Sequence, residues 1–382
     1  MTASTPSRFQ GQRLENPPKH LIKFKRLFGF EVALDDPAIE RIRAGLMQSD
    51  PIADEVVDWA SMQPPGAARA LFERALTEGV DRVPDAPEAL RTWMEKAHEV
   101  PAWVDREKLR TACRTSRRVG HAGATVLGAM SLMGGYRSSA AVKPLAMTGA
   151  LDRMVVRRLA ETSRFVQDVY ASEDMGPTSE GFRAAARVRL MHALVRRSLA
   201  RRPTWRTEAW GLPINQADMA ATHLEFSAIY LVGLRLLGFR FTKYELDAHM
   251  HLWRYVSNLM GLDDALLAHD FEEGLRHMYI HACTQPYADE DSRALAKALY
   301  EFPRMIAKTP LDRVMAEVMT RYNTGVSRIT LGDDAVDDIG LPPARWAPLL
   351  FGLSAIVFAA ETARMHIPGA TELAERVGRR AQ

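Results

Sequence analysis

Residues 181–202 read GFRAAARVRLMHALVRRSLARR. As a helix, this stretch puts Ala185, Val188, His192, Val195 and Leu199 on one stripe at steps of three and four. His192 is the only polar member of that stripe, while Arg183, Arg187, Arg189, Arg196 and Arg197 occupy the rest of the helix. A lone histidine on an apolar face is ordinarily a satisfied core residue. The other reading is a haem axial ligand, because haem iron takes an imidazole nitrogen held on a rigid element inside an apolar slot. Neighbouring arginines would then suit the propionates. Periodicity alone leaves both open.

The preceding segment, LDRMVVRRLAETSRFVQDVY (151–170), carries the same signature. Val155, Leu159, Thr162, Val166 and Val169 form its apolar stripe, so Thr162 is an inward-facing hydroxyl with Arg158 one turn before it. Such groups are costly in an apolar interior unless something pairs them. Reduced dioxygen on a haem is one such partner. Asp152 or Glu161 for the arginine, and a carbonyl one turn back for the threonine, are the plainer ones.

Outward from these two helices the chain reads as helix after helix. DDPAIERIRAGLM, near residue 36, and DAPEALRTWMEKAHEVP, ending at Pro101, both open with an acid and a proline. Further helical patterns lie near 105–136, 143–170, 179–202, 215–237, 242–260, 263–282, 289–302, 309–323, 341–361 and 368–380. The best strand candidate, FRFT (239–242), is too short to build a sheet. The expected architecture is all-α: an N-terminal extension over 1–35, its first 20 residues a loose tail, and one large helical domain over 36–382.

Composition narrows the function. Fifty basic and 47 acidic residues give a net charge of +3, too balanced for a nucleic-acid binder. Two cysteines, Cys113 and Cys283, make neither a disulfide framework nor a four-cysteine metal site and suit a reducing compartment. No secretory leader is legible, and the uncharged runs Val119–Tyr136 and Trp346–Ala360 are short for membrane spans. Both are expected to be buried core helices, with no transmembrane segment and a cytoplasmic location.

Most catalytic signatures are missing. There is no phosphate-binding loop, no dinucleotide fingerprint, no G-x-S-x-G elbow and no H-E-x-x-H. One E-x-x-H pair, Glu95 and His98, falls short of a di-iron site. His277 and His281, four apart, lack an evident third metal ligand.

The spacing Arg158-x-x-x-Thr162, followed by His192 within R-V-R-L-M-H-A-x-V-R, resembles the rubber oxygenase (latex clearing protein) family. That family also includes fungal oxygenases that cut a prenyl side chain in mycophenolic acid synthesis. GLPINQADMAATHLEF (211–226) and LLGFRFTKYELDAHMHLWRYVSNLMGLDDALL (236–267) resemble the same family, whose likeness covers roughly residues 85–300. The resemblance implies haem b (iron) in a globin-like helical core, His192 as its metal ligand, and Arg158 and Thr162 as the polar pair on the opposite side. Rubber-cleaving members carry a lysine just before that threonine, where this chain has Glu161, and a glutamate on the preceding helix, where Val142 or Lys143 falls.

The function expected from this is a haem-dependent oxygenase that uses O2 to oxidise or cleave a double bond in a small apolar, isoprenoid-like substrate. Arg158, Thr162 and Glu161 form its catalytic set, with Glu161 as acid or base, and the oligomeric state is open. Met130, Met133, Met147, Met154 and Met191 are candidate pocket linings or plain core. The alternatives are a haem protein that binds or senses a gas, and a cofactor-free helical module for apolar ligands.

Overall fold

The computed structural model describes residues 4–149, 151–345 and 347–381, and among them there are helices and no strand. Helix starts follow local chemistry. After α1 (Lys19–Phe28), α2 (Pro37–Gly45) and α3 (Pro51–Ala60) begin at aspartates, Asp36 and Asp50, whose carboxylates accept from the first free backbone N–H groups, each followed by a proline at the first turn. Next come α4 (Ala67–Glu78), α5 (Glu88–His98) and α6 (Arg106–Arg118), the last capped by Asp105.

The Gly-rich run forms α7 (His121–Val126), a π-helical turn Leu127–Leu132, and α8 (Met133–Gly135). As expected it is largely interior, with Val126, Ala129, Met130 and Met133 buried. The short α9 (Lys143–Met147) leads to α10 (Leu151–Ala171) and α11 (Glu180–Ala200), which pack on each other as a hairpin. After the one-turn α12 (Thr207–Trp210), the segment read as one helix over 215–237 is two: α13 (Gln216–Phe226) and α14 (Ala228–Leu236). Ser227 separates them, its backbone leaving the helical region at φ −110° and ψ −95°, while its hydroxyl bonds back to the His223 carbonyl at 2.8 Å.

α15 (Lys243–Leu259) opens with a Thr242/Glu245 capping box and packs along α6 and α11. FRFT is its irregular lead-in, not a strand. The remainder is α16 (Phe271–Thr284), α17 (Glu290–Ile306), α18 (Pro310–Leu331), α19 (Asp333–Asp338), α20 (Ala347–His366) and α21 (Ala370–Ala381).

Two further expectations fail. The N-terminal stretch is docked rather than loose: Arg8 is 4% exposed and clamps Asp218 at 2.7 and 2.8 Å, with Gln285 beside it, and Leu21 and Phe30 join the core. The Trp346–Ala360 run is helical but lies at the surface. Pro348–His366 is long and apolar enough by length and composition to cross a membrane, and only 17% of its apolar window is buried. It packs by one face, against α18 and α21, and nothing among the described residues covers the other.

Candidate active site

α11 is held in place by its arginines. Arg189 makes a buried bidentate pair with Asp50, the cap of α3, at 2.7 and 2.8 Å. Gly261, at φ +82°, leaves room for that pair, since a Cβ there would collide with the Asp50 carboxylate. Arg196 bonds Asp54 at 2.8 Å, Arg197 bonds Asp58 at 2.7 Å, Arg187 bonds Glu73, and Arg183 bonds Glu180. The arginines read as propionate partners are therefore committed to carboxylates, four of them bolting α11 to α3 and α4.

His192 is the exception on this helix. Its Nδ1 is enclosed and without a hydrogen-bond partner. Burial pushes the imidazole down to about 4, Arg196 adding to the effect and Asp50 opposing it, so the ring is neutral at pH 7. It nevertheless keeps some accessible surface, as do Val188 and Val195 on the same stripe. On α10, Leu159 and Thr162 are likewise half-buried, whereas Val166 and Val169 further along are buried. A neutral imidazole with an enclosed, unsatisfied ring nitrogen suits coordination to an iron-bearing planar group, and His192 is the candidate ligand. His192, Arg158 and Thr162, the candidate cofactor-binding residues, are thus on neighbouring helices of one hairpin.

Arg158 is half-buried. It donates from Nη1 to the Leu145 carbonyl at 3.0 Å and from Nη2 to the Thr148 hydroxyl at 2.9 Å, so it is tethered to the end of α9. Thr162 has no hydrogen bond to a described residue, so the expected bond to a carbonyl one turn back is absent.

Glu161 does not belong to this cluster. It is exposed and pairs with Arg157 at 2.7 Å, one turn back on the outer face, and the Arg158–Glu161 contact is not formed. The reason is helical geometry: Thr162 turned inward carries its neighbour about 100° away. Val142 is buried, and Lys143 is bound at 2.5 Å to each of Asp289 and Asp291, which outweigh its burial and keep it charged. Neither supplies a base.

A different acid does face inward. Glu225, near the end of α13, makes no carboxyl hydrogen bond to a described residue, and burial pushes it up to about 8 from an ordinary 4.5. Its carboxyl lies over Gly135, where any Cβ would strike Oε1. Tyr136 next door is pushed up to about 12 by burial, with Glu225 adding to the shift and Arg158 opposing it, so the three share one electrostatic environment. The sequence signal was present but unread: Glu225 is the only acid between Asp218 and Glu245, just ahead of an apolar run.

Several other histidines are held by the fold. His223 bonds Ser257 at 3.0 Å, His249 bonds the Phe226 carbonyl at 3.0 Å, and His98 stacks on Phe182. His277 sits 3.6 Å from Glu273, and no three His, Cys, Asp or Glu residues converge among the described residues. Met130 and Met133 pack in the core and Met191 is 46% exposed, while the side chain of Met154 lies outside the described residues. Two open clefts, of about 480 Å³ beside Phe28 and Arg235 and about 430 Å³ beside Tyr300 and Arg321, contain none of these groups.

A family model described as "ER-bound oxygenase mpaB/B'/Rubber oxygenase, catalytic domain" matches residues 117–360, which include every residue of this cluster. The chain belongs to this oxygenase family. A relative, the rubber oxygenase of Streptomyces sp. (strain K30), is 26% identical over 307 residues, covering 77% of this chain and 70% of that one. The structure of latex clearing protein in its closed state superposes with a TM-score of 0.64 at 21% identity, covering 88% of this chain and 90% of that one, and shows the same helical fold. An oxygenase with an all-α fold is therefore the coarse identity of the chain.

Proposed function

We propose that this oxygenase uses O2 and a haem b held by His192 to oxidise or cleave a double bond in an apolar, isoprenoid-like molecule. The observation that carries the reading is the neutral His192 imidazole, enclosed and unpaired at Nδ1 on α11, the helix that packs against α10. The relatives' names, rubber oxygenase and latex clearing protein, support a polyisoprene-like substrate. Bound there, haem b supplies a redox-active iron, without which dioxygen reacts too slowly with an alkene.

The chain's own residues bind, orient and handle protons. His192 offers a ring nitrogen that needs no deprotonation at neutral pH. Arg158, preorganised by Leu145 and Thr148, keeps further N–H groups for developing negative charge, and Thr162 adds a hydroxyl. Glu225 takes the role read for Glu161. It is protonated at pH 7 and titrates close to the operating range, as a proton-transfer group should. The half-buried Leu159, Val188 and Val195 exclude water from an apolar substrate.

The test is dioxygen consumption by haem-supplied protein with a short polyisoprenoid, products being analysed for new carbonyl ends. Uptake coupled to carbonyl products is the expected result. Reversible gas binding without uptake would instead make the chain a haem protein that senses or stores a gas.

A further inference from the structure

α20 is built inside out. Its charged residues, Glu361 and Arg364, are 8% and 9% exposed and point at the body of the protein. Glu361 accepts from the Arg240 backbone N–H at 3.2 Å and pairs with Arg364 at 3.0 Å, with Arg118 at 3.8 Å, and Arg364 donates to the Arg240 carbonyl at 3.1 Å. Thr362 also turns inward, accepting from Arg240 at 3.0 Å. Every exposed residue between Pro348 and Met365 is apolar. Leu349, Phe351, Ile356 and Phe358 are 66%, 62%, 68% and 52% exposed. On α18, which packs beside it, Leu311, Val314 and Val318 are 71%, 61% and 54% exposed. Single exposed leucines are normal, but a run of this size on adjoining helices marks a surface that meets something apolar.

The chemistry of the α20 face selects the occupant. Protein interfaces carry roughly one hydrogen bond per 100–200 Å². Between Pro348 and Met365 the outward face of α20 has no polar side chain to make one, as suits hydrocarbon. The length and composition of Pro348–His366 also meet the requirement for residence in a bilayer. Its inward ion pairs fix one face to the protein, so the helix lies along a membrane surface rather than across it. We propose that α20 and the N-terminal half of α18 form a docking face that seats in the hydrocarbon–headgroup boundary of a lipid bilayer. The inference stands on exposure and charge placement and is independent of the catalytic reading.

The experiment is flotation of the full chain with phosphatidylcholine vesicles. The protein should float with these uncharged vesicles and stay bound in about 1 M salt, because apolar attraction is not screened. Phe351→Lys with Ile356→Lys should lower partitioning by at least about tenfold, as should Val314→Lys with Val318→Lys on α18. Met62→Lys, at an exposed apolar position outside this face, should leave it unchanged. Circular dichroism checks that the variants fold. Wild-type protein that stays off the vesicles would overturn the proposal, as would folded variants that float like wild type. A dimer in vesicle-free buffer that the α20 variant splits into monomers would also overturn it, assigning the face to a second copy of the chain.

Discussion

At the scale of single residues, Glu161 and Glu225 trade places. Glu161 drew attention because it adjoins Thr162, but a one-residue step on a helix is a large rotation, and the carboxylate ends up in water against Arg157. Glu225 lies more than sixty positions away in sequence, on another helix, and only the packing of α13 over Gly135 brings it close enough to Tyr136 to share its surroundings with Arg158. Glu161→Gln should therefore leave turnover within a few-fold, whereas Glu225→Gln should lower it by roughly 10²-fold, as measured by dioxygen uptake. Arg158→Ala should cost about 10²–10³ in rate with haem retained. Glu225 also predicts a pH signature free of any assay for activity. Its folded pKa lies above its unfolded value, so between about 4.5 and 8 the native state binds the extra proton. Stability should be full below that window and fall, by on the order of a few kcal/mol, as pH rises through it. Urea unfolding of the haem-free protein at pH 5 and pH 8 measures the slope, and Glu225→Gln should flatten it.

At the scale of elements, the helices that could be read were those with local signals. Asp36 with Pro37 and Asp105 cap helices where the sequence opened them, and Ser179 and Thr242 with Glu245 cap the helices read from near 179 and 242. The arginines of α11 were legible as a charged face but not as bolts, because Asp50, Asp54, Asp58 and Glu73 lie more than a hundred residues earlier. The docking of residues 4–35 was illegible for the same reason: Arg8 meets Asp218 and Gln285 only in the folded chain. The Asp50–Arg189 pair sets the position of α11 and hence of His192. Asp50→Ala leaves a buried guanidinium uncompensated and removes the α3 cap, and should destabilise by about 3–5 kcal/mol in urea unfolding. Arg187→Ala, at a pair whose side chains are 41% and 34% exposed, should cost under about 1 kcal/mol.

At the scale of the whole molecule, the all-α class followed from the 3.6-residue period of segment after segment, and the family motif lies in the hairpin that carries it. The surface did not follow, because an apolar run reads alike whether its partner is the core or a bilayer. α20 was read as core on hydropathy and is mostly outside. What unites the molecule is the α10–α11 hairpin, with Arg158 and Thr162 on one helix and His192 on the other. The direct measurement is a haem titration of purified wild-type and His192→Ala protein, followed by absorption spectroscopy and helical circular dichroism on the same samples. The account predicts one haem per wild-type chain with an intense Soret band, and a variant that keeps its helical signal while losing that band. A wild-type chain that binds no haem, or a His192→Ala variant that binds it stoichiometrically with an unchanged spectrum, would contradict it.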